Sequence, residues 1–454
     1  MADNVKDFQT HAIPLAERLM DYAMQQGKPY GVTDVKIKTR LAEAQKREIT
    51  KGQVSNVTSG TGQEMTVTLF AGDRVYAFKE NTLDEASLQE SIRESMDVMA
   101  IVPENADKRL LEPVHVYHGP AIDFDLRDPN PPTAREMVEY ACLMEEAALV
   151  QKGVKTTRST DIQCGDDHVL LIATNGLHRY ASATWYAATT EVIAEDSHGK
   201  MQVEYKGCST AHFSDMEDPA IIGAEAGRDA VAKLGAVLPA TSRDIPIILP
   251  PEIAQSFFSI VYSAIDGGSV FKKATFLKDK LGQQVMDAGV TLIDDPRVRR
   301  SISSCTTDTS GMEATKITFI DKGILKVFNS SLLESRQLGI APIGRNHGPT
   351  NRFVLPGTLS PEDLMHDIKD GVYIKGFCGG KVDVNDGTHS RQAYGTMIKN
   401  GKLTHAVDGF VVVGNLKDMF MNVVLGNNVA PLPHPRLSMS VPTVRINGVT
   451  IAAK

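Results

Sequence analysis

Residues 65–85 read MTVTLFAGDRVYAFKENTLDE, and this stretch indicates how the first part of the chain folds. Apolar and polar residues alternate over 65–70, and the chain then turns through Ala71–Arg74 into the run Val75–Phe78, which predicts an antiparallel hairpin. Thr82-Leu83-Asp84-Glu85 then has the form of a helix capping box, and an apolar helical face follows it. A hairpin that leads directly into a helix predicts an α+β domain, with helices on one face of an antiparallel or mixed sheet.

The same mixture of helices and strands extends outward from this stretch to about residue 240. Spacing of apolar residues, capping residues and turn dipeptides define each element. The predicted elements are a helix ending at Gly27, a loop or crossover over 103–130, a helix over 133–150, strands over 168–174 and 177–191 joined by Asn175-Gly176, and a helix from Asp218-Pro219 to Gly235 with small residues on its packing face.

The segment Pro239–Asp244 is the predicted boundary between an N-terminal α+β domain, residues 1–240, and a C-terminal β-rich domain, residues 241–454. In the second part, short strands alternate with turn dipeptides, which predicts a closed or heavily curved, barrel-like sheet. Two helices are also predicted there, at Pro251–Ala264 and at Pro361–Asp370. The turn dipeptides are Lys322-Gly323, Asp386-Gly387, Asn400-Gly401 and Asn447-Gly448.

Composition argues against several classes of protein. The 454 residues include 48 Lys and Arg against 56 Asp and Glu, a net charge of -8, so we expect no nucleic-acid partner. No apolar run approaches the roughly 18 residues of a membrane span, and the first seven residues do not resemble a secretory signal, so no membrane association is expected. Five scattered cysteines without a CxxC pair are typical of reduced thiols, which predicts a cytoplasmic protein.

Several motifs of known chemistry are missing from the sequence. It contains no GxxxxGK[ST], GxGxxG or GxSxG motif. A helical zinc-protease site needs two His one turn apart and a Glu as general base, but none of the twelve His is followed by Glu. Two glycine-rich stretches, Asp266-Gly267-Gly268 and Cys378-Gly379-Gly380-Lys381, lack the residues and helix start of a phosphate loop, which favours simple loop geometry.

A few polar residues remain as candidates for a site. His115 and His118, in a loop with prolines on either side, would either hold a metal ion or stay solvated. The pairs Asp166-Asp167 and Asp294-Asp295 would point to opposite faces of a strand, which favours turn formation or capping over a dyad that shares a proton. Solvated ion pairs are expected for the arginines that follow the second pair, Arg297, Arg299 and Arg300. The residues alone predict no catalytic, cofactor-binding or metal-binding residue.

Short motifs follow one another along the whole chain. Each motif alone is weak evidence for a family, but their order and spacing together are specific. They are the hairpin at Gly72-Asp73-Arg74, Thr174–Leu177, Gly223–Ala226, Phe276–Gly282, Ile293–Pro296, Asn351 before Leu355–Gly357, Asp383–Asn385 before Gly387, Gly409–Asn415 and Pro442–Ile446. In this order they resemble the TldD/PmbA family, the modulators of DNA gyrase, and within it the PmbA (TldE) branch.

The resemblance implies a two-domain fold with a barrel-like C-terminal half. It also implies that a TldD-like and a PmbA-like chain assemble into a cytoplasmic zinc metalloprotease that acts on unfolded or extended polypeptides. In TldD-like chains, a helix carries HExxxH and a Cys near the C-terminus adds a further zinc ligand.

This sequence departs from the TldD-like pattern at both places. The corresponding helix, Pro251–Ser259, contains no His, and the corresponding tail, Ala430–Arg436, contains no Cys. These are the departures that the resemblance implies for the PmbA branch. A third departure is that Thr307–Gly311 has Ser310 where the family has Glu, which either alters the shared cleft or is a tolerated change in a turn.

The resemblance thus implies a non-catalytic subunit that completes the substrate cleft and holds no metal or cofactor, with zinc in a TldD-like HExxxH partner. The chain would form a heterodimer with that partner, or a homodimer when isolated, and its substrate would be unfolded peptide. Two alternatives stay open: a self-associating peptide-binding or scaffold protein without protease activity, and a hydrolase with a rebuilt metal site at His115, His118 or His434. Direct action on gyrase through DNA is least favoured because of the net charge.

Overall fold

The computed structural model describes residues 2–453, with side chains from Phe8 onward. Helices and long strands alternate in the first part of the chain. The helices there are α1 (Ala2–Gly27), α2 (Glu85–Met99), α3 (Ala134–Leu149) and α4 (Pro219–Leu234). The strands are β1 (Asp34–Thr50), β2 (Gln53–Ala71), β3 (Arg74–Glu80), β4 (Val154–Ala173), β5 (His178–Glu195) and β6 (Met201–Thr210).

The second part of the chain is richer in strands, and most of its helices are short. Its strands are β7 (Ser242–Leu249), β8 (Leu292–Asp295), β9 (Ile317–Asp321), β10 (Ile324–Leu325), β11 (Asn351–Val354), β12 (Asp370–Asp383), β13 (Thr388–Lys399), β14 (Lys402–Asn415), β15 (Val423–Leu425), β16 (Met439–Ser440) and β17 (Val444–Ala453). Its helices are α5 (Pro251–Ala264), α6 (Gly267–Phe271), α7 (Leu332–Leu338), α8 (Asp363–His366) and α9 (Leu416–Met421).

The first sheet has the strand order β3-β2-β1-β4-β5-β6, and all of its neighbouring strands are antiparallel. Because side chains alternate along a strand, Ile37 and Ile49 of β1 point to the same face. Ile37 packs among residues of α1 and α2, and Ile49 packs among residues of α3. The helices therefore cover one face of the sheet, which confirms the predicted arrangement.

A closed β-barrel forms the centre of the second part, as the turn pattern predicts. The strands β14-β13-β12-β7-β17 follow one another, and β14 pairs with β17 over Phe410–Val413 to close the ring. Phe257 and Phe258 of α5 are buried in the same apolar core as Phe410 and Ile446 of the barrel strands. A smaller sheet, β10-β9-β8-β11-β16, lies beside the barrel and carries Asp294.

The segment between α2 and α3 has little regular structure and joins the two parts of the molecule. The amide of Tyr117 donates to the carbonyl oxygen of Gly311 at 2.9 Å, and the amide of Arg300 donates to that of Phe124 at 2.7 Å. The prediction of a loop or crossover over 103–130 is therefore confirmed. Among the helices of the described range, none is long and apolar enough to cross a membrane.

The strands of the first sheet are longer than the sequence predicts. β1 and β2 pair continuously from Asp34 opposite Phe70 to Thr50 opposite Gln53, whereas the alternation over 65–70 marks only one end of this ribbon. Residues 53–63 of β2 are exposed, so neither face requires apolar side chains and no alternation records the strand. The strand β6 is absent from the prediction.

Two predictions in the second part are wrong. The helix predicted at Pro361–Asp370 is only the single turn α8, because the amide of Ile368 already bonds to the carbonyl of Met365 and Asp370 begins β12. The dipeptide Asn447-Gly448 is not a hairpin turn. It lies inside β17, where the register with β7 shifts, and it therefore forms a bulge.

Helix starts follow capping chemistry, although not always at the predicted residue. Thr133 and Glu136 form a reciprocal capping box at the start of α3, and Asp218 caps α4. The cap of α2 is Asp84, whose carboxylate accepts the amide of Ser87 at 2.9 Å, and not Thr82. The helices α6, α7 and α9 were not predicted.

Candidate functional site

The helix α5 and the tail segment 427–438 form one side of a cleft between the two parts of the molecule. One face of α5 buries Phe257, Phe258 and Val261 in the barrel core, so the residues of its other face meet the tail. Gln255 Oε1 accepts the amide and the hydroxyl of Ser438 at 3.1 and 3.0 Å. The helix and the tail that the family resemblance singled out are therefore in contact.

Arg436 lies at the centre of this contact and binds carboxylates from three separate segments. Its Nε and Nη2 donate to the two carboxylate oxygens of Glu217 at 2.5 and 2.7 Å, and its Nη1 binds Glu225 of α4. Nη1 also lies 3.4 Å from Glu252 Oε1 of α5. Burial opposes the charge, but the hydrogen bonds to Glu225 and Glu217 outweigh it and raise the pKa of Arg436.

A second group of ion pairs continues the wall of the cleft. Asp229 of α4 accepts Lys375 of β12 at 2.8 Å and lies 3.2 Å from Lys206 of β6, which is 3.7 Å from Glu252. Burial works against the ionised Asp229, yet hydrogen bonds and charge from these lysines lower its pKa. Between these walls is a cavity of about 630 Å³, which His434 also lines.

The zinc that the family resemblance implies for TldD-like chains does not fit these residues. α5 offers no His, and the carboxylates near it already bind Arg436, a cation that no metal can displace without breaking three ion pairs. His434 Nδ1 accepts the amide of Arg436 at 3.1 Å. Within residues 2–453, no group of three or more His, Cys, Asp or Glu side chains is placed to hold a metal ion.

The histidines that the sequence marked as candidates are dispersed. His115 ends a short 3-10 turn and is exposed, with Nδ1 3.7 Å from Glu112 Oε2. His118 lies beside the Asn175-Gly176 turn, and His434 lies at the cleft described above. The structure therefore does not bring the three together.

The two carboxylate pairs lie on strands with their side chains on opposite faces. Asp166 accepts both terminal nitrogens of Arg127 at 2.7 and 2.8 Å, while Asp167 pairs with Arg40. Burial opposes ionisation of Asp166, but hydrogen bonds from His168 and Arg127 bring its pKa down to about 2. Neither of these two carboxylates belongs to a dyad.

The expectation of turn formation or capping is wrong for the first pair, which lies inside β4 and forms ion pairs, and it holds for only one residue of the second pair. Asp295 does accept the amide of Arg297 at 3.0 Å, as a turn residue would. Asp294, however, is fully buried and paired with Arg345 at 2.5 Å. The sequence could not reveal this pair, since 51 residues separate its members.

The three arginines after this pair all form ion pairs, but with more distant acidic residues. Arg300 is the most buried and links Asp125 at 2.7 Å with Asp215 at 3.0 Å. The other two arginines are more exposed. Arg297 pairs with Glu313, and Arg299 pairs with Asp125.

Ser310, the third departure from the family pattern, serves the local turn. Its amide and hydroxyl both donate to Asp308 Oδ1, at 2.8 and 2.6 Å, and the other oxygen of Asp308 accepts the amide of Asn346. The glycine-rich stretches are also structural. Asp266 caps α6, and Gly379 and Gly380 have positive φ at a bulge in β12.

The residues that dominate the cleft, above all Arg436, were not among the sequence-based candidates. An arginine gives no periodic or spacing signal. Only the placement of α5 opposite the tail could have indicated it, because the fold brings Glu217, Glu225 and Glu252 together there.

Two profiles of known protein domains match this chain. The profile of the PmbA/TldA metallopeptidase central domain matches residues 127–234, and that of the PmbA/TldA metallopeptidase C-terminal domain matches residues 242–453. Metalloprotease PmbA of Escherichia coli O157:H7 is 26% identical over 405 residues, which cover 87% of this chain and 88% of that protein. A metalloprotease PmbA homolog of Buchnera aphidicola is 31% identical over 249 residues, 55% of each chain.

Solved structures show the same fold. A protein of Bacteroides thetaiotaomicron described as a modulator of DNA gyrase has a TM-score of 0.88 at 21% identity, over 96% of this chain and 99% of that one. TldE of Thermococcus kodakarensis has a TM-score of 0.80 at 16% identity, over 96% and 100% of the two chains. The two family profiles together span most of the chain, which therefore belongs to the PmbA/TldD family of metallopeptidases.

Proposed function

We propose that this chain is the PmbA-like, non-catalytic subunit of a cytoplasmic two-chain zinc metalloprotease, and that it completes the cleft that receives an extended polypeptide. The observation that carries the proposal is Arg436. Its guanidinium lies among Glu217, Glu225 and Glu252 where α5 meets the tail, the two segments that by resemblance correspond to the HExxxH helix and the Cys of TldD-like chains. A cation of the chain itself thus replaces the bound metal.

The cleft suits an extended peptide because strand edges border it. β6 is the last strand of its sheet, and the tail already pairs with it, since the amide of Ser209 donates to the carbonyl of Pro435 at 2.7 Å. Main-chain pairing of this kind is a common way to bind extended chains. In the proposed complex, the TldD-like partner supplies the zinc, its water and the Glu base.

Reconstitution tests this function. The purified chain would be mixed with a zinc-loaded TldD-like relative that carries HExxxH, together with a labelled unfolded polypeptide. We expect a heterodimer by native mass spectrometry and faster cleavage by the mixture than by either chain. Cleavage by the relative alone, unchanged by this chain and without a complex, would contradict the proposal.

Variants connect that result to the cleft. Arg436→Gln removes the cation that holds three acidic residues together, and we expect it to reduce the gain in cleavage. Arg299→Gln is the matched control, because that side chain is 76% exposed and pairs outside this cleft. If the chain instead binds peptide and self-associates but never affects cleavage, it is a peptide-binding scaffold. Stoichiometric zinc in the isolated chain would favour an independent hydrolase.

A further inference from the structure

A second cavity, of about 430 Å³, lies away from the α5 cleft, where the crossover segment meets the start of β5. Its walls come from residues 117–127, 177–182 and 304–307. We propose that this cavity binds the C-terminal carboxylate of a short extended peptide. The inference requires neither zinc nor a partner chain, so it is independent of the function proposed above.

The cavity contains an arginine without a counterion. Arg179 is half-buried in its wall and makes no hydrogen bond or ion pair with any described residue. Other charges of the wall are compensated: Arg127 binds Asp166 through two hydrogen bonds, and Asp125 binds Arg299 and Arg300. A half-buried guanidinium without a partner favours an anion, and its planar fork matches a carboxylate.

Neighbouring groups leave that positive charge available. Burial raises the pKa of the Cys305 thiol, so the thiol stays neutral. The positive charge of Arg179 acts to lower that same pKa, which shows that the guanidinium lies near Cys305. Asp123 is exposed at the rim, and its Oδ1 accepts the amide of Asp125 at 2.8 Å. Among the described residues, no ion pair joins Asp123 to Arg179.

An open strand edge runs beside Arg179. β6 pairs with β5 only from Tyr186 onward, and before that point the amide of Thr184 bonds outward to Leu126 at 3.0 Å. Because main-chain groups alternate in direction along an antiparallel strand, Tyr180 and Ser182 also direct their N–H and C=O groups outward. These groups have no partner within the described part of the chain.

Together these features define one ligand class. A peptide that adds to the edge of β5 satisfies the groups of Tyr180 and Ser182, and its terminal carboxylate reaches Arg179. Ile122 and Leu177 in the wall favour an apolar side chain at the last position. The cavity volume is within the range of about 300–1,000 Å³ that is typical of small-ligand sites.

Calorimetric titration of the purified full chain tests the proposal. The probes are a pentapeptide that ends in Leu with a free carboxylate, the same peptide as its C-terminal amide, and acetate alone. We expect the acid to bind at least about tenfold more tightly than the amide, because a charge-assisted bidentate contact is lost. Acetate is expected to bind far more weakly than the peptide acid, since it lacks the main-chain pairing.

Two variants assign the binding to this cavity. Arg179→Gln should abolish the preference for the acid with no change in melting temperature, because the side chain has no partner to lose. Arg243→Gln, at another arginine without a described partner but on β7, should bind like the wild type. Equal binding of acid and amide, or an unaffected Arg179→Gln variant, would overturn the proposal. Acetate binding as tight as the peptide would overturn the peptide assignment.

Discussion

Arg345 and Asp294 form an ion pair in which both side chains are fully buried. Each nitrogen of the guanidinium and each oxygen of the carboxylate has a hydrogen-bond partner. Arg345 also donates to the carbonyls of Gly344 and Thr315, and Asp294 accepts the amide and hydroxyl of Thr350. Such a pair contributes little net stability compared with apolar residues, but removal of one partner leaves a buried charge.

We therefore expect Arg345→Met to lower the free energy of unfolding by about 3–5 kcal/mol, because Asp294 then stays buried with only Thr350 as a hydrogen-bond donor and no cation to balance its charge. Urea denaturation followed by circular dichroism measures this loss. Arg299→Met, which breaks an ion pair of a mostly exposed arginine, should cost about 1 kcal/mol or less. Similar losses for both variants would show that burial does not decide the effect.

His389 on β13 should give the barrel a dependence on pH. Its ring is 2% exposed, with Nδ1 3.2 Å from the carbonyl oxygen of Val412, and burial lowers its pKa from 6.5 to about 4. The folded state thus favours neutral His389. The resulting stability is complete above about pH 6.5, and about 3 kcal/mol is lost as the pH falls through about 4.

Urea denaturation at pH 7.5 and at pH 4 tests this dependence. We expect His389→Asn, whose amide still donates to Val412, to lose less stability between these pH values than the wild type. His405→Asn removes an exposed histidine of the neighbouring strand β14 and should keep the wild-type dependence. The same slope in all three proteins would contradict the role of His389.

At the residue scale, local chemistry could be predicted but long-range partners could not. Thr133, Asp218 and Asn175-Gly176 act as the sequence predicts, since caps and turns depend on neighbours within a few residues. Arg345 and Arg436 act through residues far away in the chain. No spacing rule connects them to their partners before the fold is known.

Two helices in the first part of the chain approach each other at a glycine. A Cβ atom on Gly223 of α4 would be 2.0 Å from the carbonyl oxygen of Met144 on α3. The small residues on this face of α4 predict close packing, and the structure confirms it. Alanine is favoured over glycine in a helix by about 1 kcal/mol, so propensity and packing oppose each other here.

We expect packing to prevail, so that Gly223→Ala lowers the free energy of unfolding by about 1–3 kcal/mol. Gly235→Ala at the end of the same helix is the control. A Cβ there meets no atom within 4 Å, and its φ of -87° suits any residue, so this variant should be neutral or slightly stabilising. Thermal and urea denaturation measure both. A stabilised Gly223→Ala variant would show that α3 and α4 can separate at low cost.

At the element scale, the sequence predicts a helix or strand well where one of its faces is buried and poorly where neither face is. α5 begins and ends where the sequence predicts, because one of its faces is buried in the barrel core. The far ends of β1 and β2 were missed because most of their side chains are exposed or half-exposed and polar, so they leave no apolar alternation. The short helices α6 and α7 carry too few residues to show a period.

At the scale of the whole molecule, Arg336 of α7 joins the two parts of the chain. Its guanidinium donates to the carbonyl oxygens of Asp107, Arg109 and Leu110 at 3.1, 2.6 and 2.7 Å, and to Glu112 at 3.1 Å. Together with the main-chain bond from Tyr117 to Gly311, this contact attaches the crossover segment to the C-terminal part. The sequence predicts a loop or crossover there but not this attachment, because the attachment depends on a residue more than 200 positions away.

We expect Arg336→Lys to release the crossover segment while both cores stay folded. A lysine keeps the charge but lacks the planar fork that reaches several carbonyls at once, so residues 105–112 lose their attachment. Hydrogen exchange measured by mass spectrometry should become faster there by about tenfold or more, with the barrel strands unchanged. Arg336→Met should have the same effect, whereas Arg297→Lys, at an exposed ion pair of the same part, should leave exchange in this segment unchanged. Unaltered protection of residues 105–112 in Arg336→Lys would mean that the bonds of the segment's own backbone, and not Arg336, hold the two parts together.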